Sequence, residues 1–370
     1  MKRAALTAEH EIVRVQLSER SYDIEIGAGI IPSAADFFAA RTKISHAIII
    51  TDDQVRPLYA DTIAAACTAA GMRTTLLSVP AGETSKSIAM ADRLWNESLA
   101  AGADRKSVVI AVGGGVIGDL AGFIAATFAR GLAFFQVPTT LLAQVDSSVG
   151  GKVGINLPAA KNMVGAFWQP QGVLIDVDVL TSLPEREYRA GLAEVVKYGV
   201  ILDADFFAYL EANVDAIRER EQKVLTQVIA RCCQLKADVV QADERETTGL
   251  RAVLNYGHTF CHAFEATCGY GELLHGEAVS IGMLCASRLA ESMNRISAEI
   301  TQRQFKLLTA LGLPTAPPQV DIDQVMAAMQ RDKKVEHGKL QFVLPSAMGK
   351  VELVGSVSTS LAKQAISDGQ

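Results

Sequence analysis

Several common features are missing from this sequence, and each absence excludes a class of protein. No run reaches the roughly 18 apolar residues that a membrane-spanning helix needs. The first fifteen residues, MKRAALTAEHEIVRV, lack the apolar core of a secretory signal peptide. Basic residues are outnumbered, 35 against 41 acidic ones, which argues against nucleic acid as the main partner because phosphate backbones attract basic surfaces. We therefore expect a cytoplasmic protein that neither spans a membrane nor binds nucleic acid.

Cysteine pairs with the spacing of a metal or redox motif are also missing. The chain has six cysteines, and no two of them form a C-x-x-C pair. This spacing suggests neither a structural zinc site nor a disulfide framework, so we expect reduced thiols. The six are Cys67, Cys232, Cys233, Cys261, Cys268 and Cys285.

What is present indicates a globular chain with an α/β first half. With 49% hydrophobic and 21% charged residues, its 370 residues are enough for two hydrophobic cores. Alternating segments at 11–17 and 22–27 predict a hairpin. Continuous apolar strands then alternate with helices, which indicates a mostly parallel sheet with both faces covered. These predicted strands are 47–51, 73–79, 107–112 and 133–138.

The second half has a different periodicity. From about Glu185 to Gln330 the pattern is almost entirely helical, and 339–345 with 350–354 predicts a short hairpin. Residues 146–172 show little periodicity, and long irregular segments of this kind are often functional. We predict an NAD-binding α/β domain with a Rossmann-like, mostly parallel sheet over 1–180, and a mainly α-helical domain that binds metal and substrate over 181–370.

A glycine-rich turn follows the third predicted buried strand. Gly113, Gly115 and Gly118 fit G-x-G-x-x-G, in which glycines let the backbone approach a pyrophosphate at a helix N-terminus. Alone, the motif is a weak signal, and the alternative is a tight strand–helix turn with no ligand. The next strand ends without the acidic residue that would bind a ribose, but Asp52 and Glu83 follow other strands of the sheet.

Three of the six histidines are clustered, which suggests a metal site. His258 and His262 are four residues apart on a predicted helix, and His275 follows a glycine-rich turn. Spacing alone favours His258 and His262 as ligands, with Glu265 or Glu277 as the third. The alternative is that these histidines are surface or hydrogen-bonded core groups.

An acid and an amine lie upstream in an otherwise apolar helix. In GLAEVVKYG, Glu194 and Lys197 are one turn apart and share one side of the helix. The simplest interpretation is an ion pair; the alternative is that both belong to a site.

Taken together, the motifs resemble the 3-dehydroquinate synthase family of sugar phosphate cyclases, and the resemblance runs over nearly the whole chain. It implies the dehydroquinate synthase-like fold. The motifs that carry it are GETSKS (82–87), GGGVIGDLAGFIA (113–125), VPTTLLAQVDSSVGGKVGIN (137–156), KNMVGAFWQP (161–170), GLAEVVKYG (191–199), DERETTGLR (243–251), LNYGHTFCHAFE (254–265), LLHGEAVSIGM (273–283) and RDKK (331–334).

The resemblance implies a different ligand set from the one that spacing favours. In the family the metal, Zn²⁺ or Co²⁺, is bound by residues matching Glu194, His258 and His275. His262 then becomes a group that faces the substrate. A set of two histidines and one glutamate is a known open catalytic zinc arrangement.

The resemblance also implies the reaction. NAD transiently oxidises 3-deoxy-D-arabino-heptulosonate 7-phosphate, phosphate is eliminated, the hydride returns, and an intramolecular aldol step forms 3-dehydroquinate. Because this substrate carries a carboxylate and a phosphate, its pocket needs cationic groups. By motif, Arg130 reaches the phosphate in a neighbouring subunit, which implies a homodimer. The remaining implied substrate residues are Asp146, Lys152, Asn162, Lys197, Lys236, Arg251, Asn255, His262 and Lys333.

The implied NAD site collects residues from several motifs. Cys261 stands where the family usually has glycine, and the DERETTGLR segment varies in length among relatives, so Lys236 is aligned less securely than Arg251. The implied NAD contacts are Asp52, Glu83, Thr84, Ser85, Lys86, Gly114, Gly115, Val116, Ile117, Gly118, Asp119, Thr139, Thr140, Lys152, Lys161, Leu180, Thr181 and Ser182.

Three other functions stay open at this point. Sugar phosphate cyclases such as 2-epi-5-epi-valiolone and 2-deoxy-scyllo-inosose synthases share the fold and cofactors, but their substrates lack the carboxylate. A metal-dependent alcohol dehydrogenase of the glycerol dehydrogenase type would form NADH in net amounts. A non-enzymatic protein would keep only a vestigial site.

Overall fold

The chain folds into two compact units, each described here by itself. The first comprises the described residues through Leu183 together with Gln222–Arg245, and the second comprises Pro184–Glu221 and the residues from Glu246 onward. The predicted boundary near residue 180 would place Gln222–Ala242 in the second domain, whereas this helix belongs to the first unit. The computed structural model describes residues 10–158, 160–269, 271–331, 335–336, 339–355 and 357–369.

Strands and helices are numbered in chain order within these ranges. The strands are β1 (Glu11–Val15), β2 (Tyr22–Gly27), β3 (His46–Asp52), β4 (Arg73–Val79), β5 (Ser107–Gly113), β6 (Ala133–Pro138), β7 (Lys152–Leu157), β8 (Ala160–Phe167), β9 (Gly172–Asp176), β10 (Val335–Glu336), β11 (Lys339–Ala347) and β12 (Lys350–Gly355). The helices are α1 (Ala34–Ala39), α2 (Asp61–Ala69), α3 (Ile88–Ala100), α4 (Gly115–Thr127), α5 (Glu185–Leu202), α6 (Ala204–Ala212), α7 (Val214–Arg218), α8 (Gln222–Ala242), α9 (His258–Cys268), α10 (His275–Ser292), α11 (Ala298–Ala310), α12 (Ile322–Arg331) and α13 (Thr359–Ser367).

A seven-stranded sheet forms the centre of the first unit, in the order β1-β2-β9-β6-β5-β3-β4. The first two strands pair antiparallel as the predicted hairpin, and every other neighbouring pair is parallel. Every residue of β3 and β5 is buried, as continuous apolar strands covered on both faces require. The prediction of a mostly parallel sheet is confirmed.

The sheet brings the ends of its strands together at one edge. Asp52 pairs with Val79 across β3 and β4, and Gly113 pairs with Pro138 across β5 and β6. The residues that follow these strands therefore share the carboxyl edge of a parallel sheet, which is where such sheets bind ligands.

A second, two-stranded sheet occupies the segment that the sequence analysis predicts to be irregular. Strands β7 and β8 pair antiparallel, with Gly154 opposite Gly165. A Cβ atom added to Gly165 would lie 2.2 Å from the carbonyl oxygen of Val153, so only glycine permits this approach. The prediction missed the hairpin because β8 is largely exposed, and its lysine, asparagine and glycine residues interrupt the apolar alternation.

The second unit is mainly helical, as predicted. Helices α5 and α10 are buried along most of their length, and the β11–β12 pair confirms the predicted hairpin near the end of the chain. Among the described residues, no helix is both long and apolar enough to cross a membrane.

Candidate functional site

Three helices of the second unit each contribute one side chain to a compact cluster. Nε2 of His258 lies 3.7 Å and Nε2 of His275 lies 3.9 Å from Oε1 of Glu194. The three candidate ligand atoms all lie within 4.8 Å of one another. Oε1 of Glu194 is buried and accepts no hydrogen bond from any described residue. A buried carboxylate oxygen that faces two imidazole nitrogens fits a divalent cation of the zinc class.

Close backbone contacts bring these helices together. A Cβ atom added to Gly276 would lie 1.8 Å from the carbonyl oxygen of Ala190, so α10 begins directly against α5. A Cβ atom added to Gly282 would lie 2.3 Å from the carbonyl oxygen of Gly257, where α10 passes the start of α9. Glycine at positions 276 and 282 thus lets α10 approach the backbone that carries the other two members of the cluster.

A hydrogen bond to the backbone sets the orientation of His258. Its Nδ1 lies 3.1 Å from the carbonyl oxygen of Tyr256 and donates to it, which leaves Nε2 directed at Glu194. The Tyr256 hydroxyl donates to the carbonyl oxygen of Met283 at 2.9 Å, and burial raises the pKa of Tyr256 so that it stays neutral. The carbonyl that holds His258 is therefore anchored in the core.

The pKa of His275 also reflects its crowded surroundings. Burial by itself lowers this pKa, but Cys261, Glu265 and Glu194 more than offset that effect, and the pKa lies well above its ordinary value. These groups therefore stabilise a positive charge at this position, whether it is carried by a proton or by a metal ion.

The structure departs from the ligand set that helical spacing favours. His262 lies edge-on to His258, with ring centroids 5.7 Å apart, and is not in the group around Glu194. Glu277 binds Arg186 through both oxygens at 2.8 Å, and Oε2 also accepts the Leu274 N–H. Glu265 lies on the Nδ1 side of His275, 3.5 Å away. Spacing within one helix could not reveal that His275, on a different helix, comes closer to Glu194.

Glu194 and Lys197 form the ion pair that their spacing suggests, and Glu194 is also part of the candidate metal cluster. The Lys197 ammonium contacts Oε2 of Glu194, and both side chains are buried. Oε1 remains directed at the two imidazoles. One carboxylate thus serves both a lysine and the candidate metal cluster.

The other predicted substrate residues are divided between the two units. In the second unit, Arg251 is buried on the turn Leu250–Asn255, with its Nε 3.5 Å from Oε1 of Glu246. Asn255 ends the same turn. Lys333 lies outside the described residues.

In the first unit, one predicted pair is in direct contact. Nζ of Lys236 donates to Oδ1 of Asp146 at 2.8 Å and to its carbonyl oxygen at 2.6 Å. Lys152 and Asn162 lie on the β7–β8 hairpin. Arg130 is exposed on a turn where Ala129 and Arg130 both have positive φ angles, 50° and 72°.

A glycine-rich turn lies where β5 meets α4. A Cβ atom added to Gly114 would lie 2.9 Å from Cγ2 of Thr140, and one added to Gly115 would lie 3.0 Å from Oγ of Ser147. The hydroxyls of Thr139 and Ser147 are buried without a hydrogen-bond partner in the described part of the chain. Orphaned hydroxyls beside a helix N-terminus fit the pyrophosphate of a dinucleotide. Sequence reasoning missed Ser147, although it stands in a motif used for the resemblance.

Beside this turn, Lys86 contacts both a predicted NAD residue and a predicted substrate residue. Its Nζ donates to Oδ2 of Asp119 at 2.7 Å and to Oδ1 of Asn162 at 2.5 Å. Burial raises the pKa of Asp119, and the Lys86 ammonium opposes this rise. Asn156 donates to Oε1 of Glu83 at 2.7 Å and accepts the backbone N–H of Asn162. Sequence reasoning did not select Asn156; the asparagine that ends the VGIN segment was the available signal.

Other predicted NAD residues have local structural partners. Oδ1 of Asp52 accepts the backbone N–H groups of Gln54 and Val55, both at 2.9 Å, and so caps the turn after β3. Ser182 hydrogen-bonds Tyr59 at 2.6 Å. Ile117 is buried in the core and packs where Gly113 leaves room, so only its backbone is available to a ligand.

Solved structures with the same fold include two sugar phosphate cyclases. One is a 2-deoxy-scyllo-inosose synthase complexed with carbaglucose-6-phosphate, NAD⁺ and Co²⁺, with 28% identity, a TM-score of 0.89 and coverage of 97% of this chain and 100% of that one. The other is a 2-epi-5-epi-valiolone synthase from Streptomyces hygroscopicus subsp. jinggangensis with NAD⁺ and Zn²⁺ bound, with 28% identity, a TM-score of 0.86 and coverage of 100% and 99%.

Sequence comparison then identifies one family among the sugar phosphate cyclases. The model of the 3-dehydroquinate synthase N-terminal domain matches residues 76–190, and that of the C-terminal domain matches residues 191–335. A 3-dehydroquinate synthase from Rhodopirellula baltica is 50% identical over 367 residues, which are 98% of each chain. The chain belongs to the 3-dehydroquinate synthase family.

Proposed function

We propose that this protein converts 3-deoxy-D-arabino-heptulosonate 7-phosphate to 3-dehydroquinate and inorganic phosphate, the carbon–oxygen lyase step of the shikimate pathway that leads to aromatic amino acids. The observation that carries the proposal is the cluster around Oε1 of Glu194, which joins two imidazole nitrogens to a buried carboxylate in a member of this family. A catalytic metal site of two histidines and one glutamate leaves positions open for substrate oxygens.

The proposed cofactors are a zinc-class cation and NAD. Glu194, His258 and His275 would hold the cation, and the turn from Gly114 to Gly118 with Thr139 and Lys86 would hold NAD. The two similar solved structures contain NAD⁺ with Co²⁺ or Zn²⁺. When bound, the cation supplies a Lewis acid and NAD supplies a reversible hydride acceptor.

The chain's own residues bind the substrate and move its protons. Lys197, buried against Glu194, places a positive charge beside the candidate metal cluster, where it would bind substrate hydroxyls. His262, whose ring packs edge-on against that of His258, would transfer a proton when phosphate is eliminated. In the first unit, Asp146 and Lys236 hold each other in place, and the family resemblance makes both of them candidate substrate residues.

The substrate's carboxylate separates this reaction from those of related cyclases. Lys236, Arg251, Asn255 and Lys333 together favour an acid substrate, because a guanidinium forms paired hydrogen bonds with a carboxylate. The sequence is also more similar to the enzyme whose substrate carries a carboxylate. Identity is 50% to the 3-dehydroquinate synthase from Rhodopirellula baltica and 28% to each of the two related cyclases.

A substrate panel tests the proposal. Purified protein with NAD and Zn²⁺ or Co²⁺ should release phosphate from the heptulosonate phosphate, as measured by a colorimetric phosphate assay. The absorbance of NADH should not accumulate, because the hydride returns in each turnover. Phosphate release only from sedoheptulose 7-phosphate or glucose 6-phosphate would instead indicate a related cyclase. Steady NADH formation from glycerol would indicate an alcohol dehydrogenase.

We further propose a cytoplasmic homodimer. All six cysteines are free thiols, which suits a reducing compartment. The dimer is proposed from the family, and the exposed Arg130 is the residue that would reach the partner's substrate phosphate.

A further inference from the structure

Two groups of α9 approach Nδ1 of His275, the ring nitrogen opposite the candidate metal. Oε1 of Glu265 lies 3.5 Å from Nδ1, and Sγ of Cys261 lies 3.8 Å from it. Sγ of Cys261 also lies 3.9 Å from the carbonyl oxygen of His275, to which the thiol donates. The Nδ1 proton of His275 is then available to the carboxylate, which is the stronger acceptor of the two.

Glu265 is itself placed for this contact. It follows Cys261 by four residues and His258 by seven, so all three share one face of α9. Its side chain is only 13% exposed. Withdrawing a carboxylate from water costs free energy unless a donor or a cation compensates, so a glutamate this little exposed gains from an imidazole N–H nearby.

The two candidate ligands differ in their outer partners. His258 donates Nδ1–H to a neutral backbone carbonyl, whereas His275 faces an acidic side chain. A carboxylate that accepts this proton keeps Nε2 deprotonated and makes the ring a stronger ligand than a carbonyl does. Substitution of Glu265 would therefore remove the acidic side chain that His275 faces.

We infer that Glu265 is a positioning residue: it accepts the Nδ1–H of His275, fixes the tautomer that leaves Nε2 for the cation, and so raises metal affinity. This inference rests on the proposed function, since it assumes that His275 is a ligand. The competing possibility is a second metal ion held by Cys261, Glu265 and His275, whose donor atoms also lie within 4.8 Å of one another. The two differ in what Nδ1 does, because a nitrogen that donates a proton cannot also coordinate a metal.

Cobalt binding to the full-length protein tests the inference without an activity assay. The apoprotein is titrated with Co²⁺ against a competing chelator, and the visible ligand-field bands are recorded. Glu265→Ala should weaken affinity about ten- to hundredfold. Glu265→Gln, which keeps an acceptor but loses the charge, should fall between Ala and the wild type. The exposed Glu272 on the following loop provides the matched control, and Glu272→Ala should bind as the wild type does. Cys261→Ala should also retain affinity, with one ion per chain.

The other outcomes would each contradict the role of Glu265 or the proposed metal site. Equal affinity in the wild type, Glu265→Gln and Glu265→Ala would overturn this inference and leave the metal site intact. Two ions per chain, with a near-ultraviolet thiolate band lost in Cys261→Ala, would overturn it in favour of the second site. A wild-type protein that binds no cobalt would overturn the metal site of the proposed function and this inference with it. Thermal melting of each apoprotein shows whether a loss of affinity is a loss of folding.

Discussion

His262 and His275 are almost equally near His258, with ring centroids 5.7 and 5.3 Å away. Of these two, it is His275 that forms a compact group with Glu194 and His258, with its Nε2 3.9 Å from Oε1 of Glu194. At the scale of single residues, therefore, proximity to another histidine does not define a ligand. The position of the buried carboxylate does, because a cation needs the oxygen as well as the nitrogens.

This difference predicts opposite behaviour for two alanine variants. His275→Ala removes a proposed ligand and should lose both bound zinc and phosphate release. His262→Ala leaves the Glu194 cluster unchanged and should keep zinc but lose turnover by about 10²–10⁴-fold, the usual contribution of an acid or base. Elemental analysis after dialysis, with the phosphate assay in parallel, checks both. Zinc loss in His262→Ala would instead support the ligand pair that helical spacing favours.

At the scale of elements, the site depends on how closely α10 approaches α5. We predict that Gly276→Ala destabilises the protein by about 1–3 kcal/mol, since the added methyl meets a carbonyl oxygen and the core must yield. The shift of α10 should also carry His275 away from Glu194 and weaken zinc binding. Urea denaturation and chelator competition measure the two effects.

A glycine in open space provides the control for this substitution. A Cβ atom added to Gly355, at the end of β12, meets nothing within 4 Å, so Gly355→Ala should change neither stability nor zinc affinity. If Gly276→Ala behaved like Gly355→Ala, the close contact between α10 and α5 would not be what positions His275.

Elements differ in how far the sequence could predict them. Strands β3 and β5 were predictable because both are buried along their length and each contains a continuous apolar run, 47–50 in β3 and 108–112 in β5. The β7–β8 hairpin was not, because the side chains of β8 are mostly exposed and the pairing depends on backbone contacts at Gly154 and Gly165. The metal cluster needed the motif resemblance, because it joins three separate helices and no local period links Glu194 to His275.

At the scale of the whole molecule, the predicted substrate residues divide between two units. Asp146 and Lys236 belong to the first, and Lys197 and Arg251 belong to the second. The sequence could not show that α8, which carries Lys236, groups with the first unit, because a helix's own periodicity does not reveal which core it packs on. In the proposed homodimer, Arg130 would come from another chain.

The turn that carries Arg130 is unusually constrained for an exposed segment. Gly131 has a φ of 120°, and a Cβ atom added there would lie 2.4 Å from Cη2 of Trp168. Trp168 in turn donates to the carbonyl oxygen of Leu132 at 2.9 Å. Strained backbone that the surrounding packing holds in place often marks a functional site. A fixed turn would present Arg130 outward in a defined direction, as a contribution to a partner's site requires.

Mixed dimers test whether Arg130 acts in the partner. Arg130→Ala and His262→Ala should each be nearly inactive as pure dimers. In a mixed dimer, the Arg130→Ala chain keeps its own His262 and receives Arg130 from its partner, so one of the two sites is complete. Random pairing makes half of the dimers mixed, so activity should return to about a quarter of the wild-type value. Lys197→Ala mixed with His262→Ala is the control: both residues act within one chain, and no activity should return. If Arg130→Ala with His262→Ala also stays inactive although mixed dimers are recovered through two different affinity tags, Arg130 serves the site of its own chain.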